Sequence, residues 1–281
     1  MTPEEYCYHK AASSGSSFYY SFFFLPARRR KAITALYAYC REVDDVVDET
    51  PDPRIAELML SEWRTEIERL FSGSPQHLVT QALLPYLEEF DLQKPLFLEI
   101  IAGMEMDLLQ TRYTDFEALS QYCYRVASVV GLLSARIFGQ KDEKTSEYAE
   151  LLGKAFQLTN ICRDIAEDAA RGRIYLPQDE LTRFDVSEHD ILDAHHSENF
   201  KQLMLFQVER ANDYYAKAME SLPTIDKKSQ RPGLIMAAIY YDILRQIKQS
   251  PDLILSRRLS VSLWRKLVLA GKTWFSGDVS F

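Results

Sequence analysis

The sequence predicts an all-α protein folded as one bundle of roughly ten helices. Two observations lead to this fold class. Apolar residues recur at helical spacing along most of the chain, and the alternating β-branched runs that are typical of strands are nearly absent. With 281 residues and 47% hydrophobic content, the chain is long enough to build one large core. We therefore expect a single domain over residues 1–281.

Prolines and glycines indicate where the helices begin and end. Pro26 suits the first turn of a long helix that Pro51 ends, because proline lacks the N–H that an interior turn requires. Either Thr114 or Asp115 can cap the least polar helix, and Gly139 can close it. In chain order we expect helices over 26–50, 54–71, 76–90, 94–110, 116–139, 144–170, 199–222 and 232–249, followed by a basic and aromatic segment over 257–275.

A first acidic cluster interrupts the apolar pattern of the helix over 26–50. Asp44 and Asp48 are four residues apart, so they project from one helix face, with Arg41 one turn earlier and Asp45 pointing elsewhere. Like charges at this spacing destabilise a helix unless they share a cation. Carboxylates that hold Mg²⁺ leave its other positions to water and phosphate oxygens. A divalent cation therefore explains the cluster.

A second cluster forms a polar stripe along the helix over 144–170. Its members follow one another at spacings of three, four and four residues, and they are Gln157, Asn160, Asp164 and Asp168. Arginines lie beside both clusters, and a guanidinium group offers phosphate a fixed fork of donors. Either cluster alone is more often a solvated acidic face. The two clusters together with their arginines indicate a diphosphate site.

Five ordered motifs carry a resemblance to a known family. They are SSFYYSFFFLP, YAYCREVDDVVDE, YCYRVASVVGLL, QLTNICRDIAEDAARGRIYLP and MAAIYYDIL, and they span nearly the whole chain. With these motifs the chain resembles the squalene/phytoene synthases, the head-to-head trans-isoprenyl diphosphate synthases. Chain-elongating prenyl synthases have paired aspartates where Ile165 follows Asp164 here. Terpene cyclases usually place Ser or Thr and Glu where Asp164 and Asp168 stand.

The resemblance implies an isoprenoid synthase-type helical bundle with a central cavity. It makes Asp44 and Asp48 one catalytic Mg²⁺-diphosphate site and Asp164 and Asp168 the facing one, so that several Mg²⁺ ions bind. It also places Tyr124 among the catalytic residues. The residues that it assigns to substrate binding are Ser17, Phe18, Tyr37, Arg41, Gln157, Asn160, Arg163, Arg173, Tyr175 and Tyr240.

The resemblance further implies Mg²⁺-dependent head-to-head condensation of two farnesyl diphosphates to presqualene diphosphate, which feeds squalene and hopanoid synthesis. Ser128 stands where phytoene synthases commonly have glycine, and the tail RRLSVSLWRKLVLAG also resembles this bacterial branch. Gly15 and Ser16 replace a serine and a cation that many relatives carry. A phytoene, dehydrosqualene or squalene synthase, with farnesyl or geranylgeranyl diphosphate as substrate, stays open. So does a non-catalytic assembly protein of the same fold, which would be expected to lose the aspartates.

Charge, cysteines and motifs limit the partners and the location. The net charge of −8 argues against nucleic acid, and the four cysteines form no CxxC, as expected in the reducing cytoplasm. No GxGxxG motif follows a strand, so NADPH is not expected and any reduction falls to a downstream reductase. No apolar run is long enough to span a membrane. The segment over 257–275 predicts peripheral contact with the inner membrane face or, equally, a packed terminal helix.

Overall fold

The computed structural model describes residues 1–13, 21–22 and 24–279. In these residues the chain forms helices and turns and no strand, which confirms the all-α prediction. The α-helices are α1 (Pro3–Ser13), α2 (Ala27–Glu49), α3 (Pro53–Phe71), α4 (Leu78–Leu83), α5 (Lys94–Leu109), α6 (Phe116–Cys123), α7 (Val129–Phe138), α8 (Lys144–Arg163), α9 (Ile165–Ala170), α10 (Gln178–Arg183), α11 (Glu188–Leu192), α12 (Glu198–Ser221), α13 (Arg231–Gln249) and α14 (Leu263–Ser276).

Several helix ends lie where the sequence predicts them. Of the two candidate caps for α6, Asp115 is the one used, and its carboxylate accepts a hydrogen bond of 2.9 Å from the Ala118 N–H. Gly139 ends α7 at φ 101°, a left-handed conformation that favours glycine. Its N–H donates to carbonyls of the preceding turn. Local chemistry therefore sets these boundaries.

Two predicted helices are less regular than expected. The helix predicted over 144–170 breaks at Asp164, which has φ −99° and ψ 14° between α8 and α9. The helix predicted over 116–139 is π-helical at Tyr124–Ser128, between α6 and α7. A π-helical turn contains one extra residue, and such turns occur often at functional sites. Both irregularities change which side chains share a face.

Other boundaries also differ from the prediction. The helix expected over 76–90 ends at Leu83 and continues as a short 3₁₀ turn, because Pro85 cannot donate the next helical hydrogen bond. The prediction of roughly ten helices is too low for the described residues, since it missed α1, α10 and α11 and treated α8 and α9 as one helix. These short helices occupy the stretch near 165–192, where the sequence pattern is weak.

Two glycines allow the wall of the bundle to close. A Cβ built on Gly153 of α8 would lie 2.6 Å from the carbonyl oxygen of Ala127 in the π-helical stretch. A Cβ on Gly131 of α7 would lie 2.4 Å from the carbonyl oxygen of Ala149. Both distances are too short for any other residue, so these helices pack backbone against backbone.

Buried apolar residues form two clusters, one around α2 to α5 and one around α8, α12 and α13. Within the described residues, no helix has both the length and the hydropathy to cross a membrane.

Candidate active site

A cavity of about 300 Å³ lies between α2, α5, α7, α8 and α13. Its polar end is formed by Arg41 and Asp44 of α2 and by Gln157 and Asn160 of α8. The cavity follows α8 down to Tyr148, which is about 18 Å below Asn160 at 1.5 Å per residue. Apolar side chains line the walls, among them Phe22, Met104, Val130, Leu152, Phe156 and Met236. One end of the cavity thus suits a polar head and the rest an apolar chain.

On α2 the carboxylates of the first cluster face two directions. Arg41 donates a hydrogen bond of 2.6 Å to Asp44, which lines the cavity, and it also pairs with Asp45. Asp45 is held on the other side by the ammonium group of Lys10 in α1, at 2.8 Å. As predicted, Asp45 therefore does not share the face of Asp44. Burial, together with the like charges of Asp48 and Asp107, raises the pKa of Asp44 to about 6.

Ion pairs bring the two acidic clusters together. Asp48 of α2 accepts from Arg171 at 3.0 Å and from Arg173 at 3.4 Å. Both arginines follow α9, 123 and 125 positions further along the chain. The first cluster therefore contacts the arginines that follow the second cluster, one helical turn beyond Asp44, which lines the polar end of the cavity. Spacing along the sequence alone could not establish this contact.

Asp164 lies at the break between α8 and α9 among cations. The neighbouring Arg163 donates to it at 2.7 Å, and Arg258 pairs with it at 2.9 Å. Arg258 also lies 3.4 Å from Glu167. The sequence analysis did not identify Arg258 as a site residue. The available signal was the pair Arg257 and Arg258 at the start of the basic segment over 257–275. Its position adds a cation to the second cluster.

The polar stripe of α8 and α9 divides at this break. Asn160 donates to Gln157 at 3.2 Å, and its buried side-chain oxygen has no hydrogen-bond partner among the described residues. Asp168 instead lies beside Arg173 and Tyr175 in a small cleft. Burial is the main reason that its pKa rises to about 7, and the like charges of Asp164 and Asp107 add to the effect.

Asp107 of α5 is a buried carboxylate that the sequence analysis missed. It accepts hydrogen bonds from Tyr122 at 2.9 Å and Tyr175 at 2.8 Å. Burial raises the pKa of Asp107 to about 6, and the charge of Asp48 acts in the same direction. The available signal was an aspartate in the run IIAGMEMDLL, where the only other charged residue is Glu105. A buried acid in an apolar helix is a marker of a functional site.

Of the other site residues predicted from the sequence, some lie at the cavity and others do not. Tyr37 lines the cavity, and Tyr240 is buried with its ring 6.0 Å from the guanidinium of Arg163. Tyr124 is half-buried outside the cavity lining, and the charges that act on it are those of Glu150 and Glu99. Tyr122, two residues earlier, does line the cavity. Ser17 and Phe18 lie outside the described residues.

The acidic groups fit a divalent cation by their chemistry. Among the described residues, no three His, Cys, Asp or Glu side chains already converge as metal ligands. However, Asp107 raises the pKa values of both Asp44 and Asp168, so negative charge is concentrated between the two clusters. The unpartnered oxygen of Asn160 adds a neutral acceptor nearby. Hard oxygen donors in this number are what Mg²⁺ prefers.

These raised pKa values predict an unusual dependence of stability on pH. Asp44, Asp107 and Asp168 bind protons more tightly in the folded state than in the unfolded chain, where the pKa is near 4. Stability is therefore lost as the pH rises from about 4 through about 7. In EDTA, we expect the Tm at about pH 6 to exceed the Tm at about pH 8 by about 3 °C or more. Differential scanning fluorimetry measures this difference.

Magnesium titration provides the control for this pH effect. At about pH 8, Mg²⁺ should raise the Tm and reduce the gap, because a ligand that binds only the folded state stabilises it. At about pH 6 the same ion should have less effect, since protons occupy part of the carboxylates. A Tm that stays equal at the two pH values in EDTA would contradict the raised pKa values of the three acids.

Comparisons with known proteins agree on one family. The chain matches the Squalene/phytoene synthase family over residues 11–265. It is 37% identical to a 15-cis-phytoene synthase of Synechococcus elongatus, over 86% of this chain and 82% of that protein. It is 35% identical to a 15-cis-phytoene synthase of Synechocystis sp., over 98% of this chain and 85% of that protein.

Solved structures have the same arrangement of helices. A dehydrosqualene synthase crystallised in complex with ligand superposes with a TM-score of 0.88 at 27% identity, over 98% of this chain and 97% of that chain. The squalene synthase HpnC from Alicyclobacillus acidocaldarius gives a TM-score of 0.72 at 24% identity, over 99% of this chain and 95% of that chain. The second likeness concerns the fold alone.

Proposed function

This chain belongs to the squalene/phytoene synthase family and is a prenyltransferase, and from that premise we propose that it joins two isoprenyl diphosphates head to head at the cavity described above. The observation that carries the proposal is the contact of Asp48 with Arg171 and Arg173, because it joins the two acidic clusters at the mouth of an apolar cavity. Acidic groups suit Mg²⁺, and the arginines suit diphosphate oxygens.

The polar end would hold the two diphosphate groups. Arg41, Arg171, Arg173 and Arg258 already pair with carboxylates of the site, so each can turn a donor toward a phosphate oxygen. Mg²⁺ held by Asp44, Asp48, Asp164 and Asp168 would supply charge neutralisation for the pyrophosphate leaving group. Asp44, Asp164 and Asp168 are partly shielded from solvent, which strengthens their electrostatic effect on developing charge.

The apolar walls would protect the carbocation. When the first substrate ionises, its C–O bond breaks and the pyrophosphate keeps the electron pair. The double bond of the second substrate then supplies the electrons of the new C–C bond. Phe22 and Phe156 line this part of the cavity, where aromatic faces stabilise positive charge and exclude water.

Tyr122 is the residue that we propose for the proton loss that closes the cyclopropane ring. Tyr122 lines the cavity and its hydroxyl donates to Asp107, so a proton that reaches the tyrosine oxygen can pass to a carboxylate with a raised pKa. In this proposal Tyr122 takes the role that the resemblance gave to Tyr124, because Tyr124 is not among the residues lining the cavity. Loss of this proton would give a cyclopropyl compound that keeps one diphosphate. To reach phytoene, that diphosphate would leave in a second ionisation, and the rearranged cation would lose a second proton.

The substrate and product are the finer part of the proposal. Curated relatives at 35–37% identity are named phytoene synthases, which favours phytoene, with geranylgeranyl diphosphate as the substrate. The sequence-based expectation of presqualene diphosphate from farnesyl diphosphate has less support. The structural likeness to a dehydrosqualene synthase keeps it as the second candidate. A location in the cytoplasm and a downstream enzyme that uses the product both stay predictions.

Product analysis tests the proposal directly. Purified protein is incubated with Mg²⁺ and either farnesyl or geranylgeranyl diphosphate, with and without NADPH, and products are identified by mass spectrometry before and after phosphatase. Phytoene from geranylgeranyl diphosphate supports the first candidate. Presqualene alcohol after phosphatase, unchanged by NADPH, supports the second. No turnover of either substrate contradicts the enzymatic proposal and favours a non-catalytic role.

Cavity depth predicts a specificity change at Tyr148. This buried ring lies at the deep end of the cavity, and a Cβ on Gly233 would approach its hydroxyl to 2.8 Å. We expect Tyr148→Ala to lengthen the space for the prenyl chain and to move kcat/KM toward the longer diphosphate by about tenfold. Competition between the two substrates measures the ratio. Tyr215→Phe is the control, since Tyr215 is a buried tyrosine of α12 that does not line the cavity, and an unchanged ratio in Tyr148→Ala would contradict the assignment.

A further inference from the structure

The terminal helix α14 exposes a continuous apolar face. The residues of this face are Leu263, Trp264, Leu267, Val268 and Phe275. At 100° per residue they fall within about 140° of arc. Trp264 is 75% exposed and Phe275 is 85% exposed, values unusual for the largest apolar side chains. The opposite side of α14 packs on the bundle through Ala270 and Thr273. Packing of the terminal helix therefore accounts for one side of α14 and leaves the other unexplained.

Charge distinguishes this face from the rest of the protein. The whole chain carries a net charge of −8, yet the stretch from Arg257 to Gly277 has five cations and no carboxylate. Arg258 and Arg265 pair with acids of the bundle, whereas Arg257 and Lys272 are exposed. A basic, aromatic and amphipathic helix on an acidic protein fits a surface that is both anionic and apolar.

Exposed apolar side chains alone do not identify a lipid-binding surface, because a second group of them lies on α3. Ile55, Leu58 and Met59 of α3 are also exposed and lie one turn apart. Their helix carries Glu57 and Glu62 beside them, so an anionic surface would repel that region. Of these two groups, the face on α14 is the one with cations and no carboxylate on its helix.

We propose that α14 lies on the surface of an anionic lipid bilayer, with the face of Leu263, Trp264, Leu267, Val268 and Phe275 in the interface. Tryptophan is well suited to the boundary between headgroups and acyl chains. Cations at the edge of such a helix add attraction to anionic lipids. No membrane-spanning segment is required, because an interfacial helix lies in the membrane plane.

The position of α14 connects this surface with the candidate active site. Trp274 stacks on Phe24 at 4.7 Å between ring centroids, and Phe24 follows the cavity-lining Phe22 closely in the chain. At the other end, Arg258 precedes α14 and pairs with Asp164. A bilayer against α14 would therefore lie beside the cavity, where a lipophilic product could leave. This consequence rests on the proposed function, but the docking itself does not.

Vesicle binding tests the proposal without substrate. The full chain is mixed with vesicles of phosphatidylcholine alone or of phosphatidylcholine with phosphatidylglycerol, and bound protein is measured by sedimentation and tryptophan fluorescence. We expect binding to the anionic vesicles that weakens with salt. Trp264→Glu and Leu267→Glu should each lower the partition coefficient by about tenfold or more, because each removes an apolar side chain from the interface. Leu58→Glu on α3 is the matched control and should bind like the parent.

Two results would overturn the docking proposal. One is a failure of the vesicle test, in which the parent and the Trp264→Glu variant bind anionic vesicles equally or neither binds them. The other is a dimer in gel filtration that Trp264→Glu abolishes, since the face would then serve a second copy of the chain. Because no step uses substrate, product assays can fail while vesicle binding succeeds, or the reverse.

Discussion

Asp168→Asn is expected to lower kcat for the condensation by about a hundredfold to a thousandfold while the protein stays at least as stable. The carboxylate is one of the proposed Mg²⁺ ligands, and loss of one preorganised electrostatic group commonly has an effect of this size. Stability should not suffer, because burial and the charges of Asp164 and Asp107 already oppose ionisation of Asp168. A neutral amide of the same shape removes that repulsion.

The control for this variant is the preceding residue. Glu167 is exposed and lies 3.4 Å from Arg258, so Glu167→Gln changes a charge of the same helix outside the proposed ligand set. Steady-state kinetics at saturating Mg²⁺ and substrate give kcat, and thermal melts in EDTA give stability. A drop in kcat accompanied by a lower Tm would mean that Asp168 supports the fold instead of the reaction. Equal losses in the two variants would contradict the assignment as well.

Asp107→Leu is expected to lower the free energy of unfolding by about 2 kcal/mol and kcat by about a hundredfold. The leucine removes the shared acceptor of Tyr122 and Tyr175, and a buried donor left without a partner costs about 1–3 kcal/mol. Relief from burying the carboxylate offsets part of this cost. The effect on kcat follows if Asp107 receives the proton from Tyr122, because general base catalysis contributes at about this level.

Additional variants separate the two effects of Asp107. In Asp107→Leu/Tyr122→Phe/Tyr175→Phe, donors and acceptor are all removed, so urea denaturation should show most of the lost stability restored. Activity should not return, because the hydroxyl and the carboxylate are both absent. If the triple variant is as unstable as Asp107→Leu, the hydrogen bonds are not the source of the loss. If its activity recovers, Tyr122 and Asp107 take no part in the reaction.

The sequence predicted the parts of the site that depend on local spacing. Asp44 lies at the cavity and Asp45 does not, as the four-residue period on a helix requires. Gln157 and Asn160 share one face for the same reason. The fold class and the caps at Asp115 and Gly139 also follow from local chemistry. Within one regular helix, position along the chain determines position in space.

Position along the chain did not predict which side chains share the site where helices are irregular or where distant segments meet. The break at Asp164 separates Asp168 from the stripe of α8, and the π-helical stretch changes the register around Tyr122 and Tyr124. No local pattern marks either event. Asp107 reaches the site from α5, and Arg258 reaches it from the segment before α14. Arg258 pairs with Asp164, which lies more than ninety positions earlier in the chain. Their roles depend on tertiary packing.

The ion pairs of Asp48 have a consequence for substrate affinity. Arg171 and Arg173 already share one carboxylate of the protein, so an arriving diphosphate does not meet two unpaired cations. Asp48 acts as an internal competitor, and binding becomes an exchange of one anion for another. The net gain is then smaller than the strength of each new contact. Such an exchange keeps affinity moderate, and the same carboxylate is ready to reclaim the arginines when pyrophosphate departs.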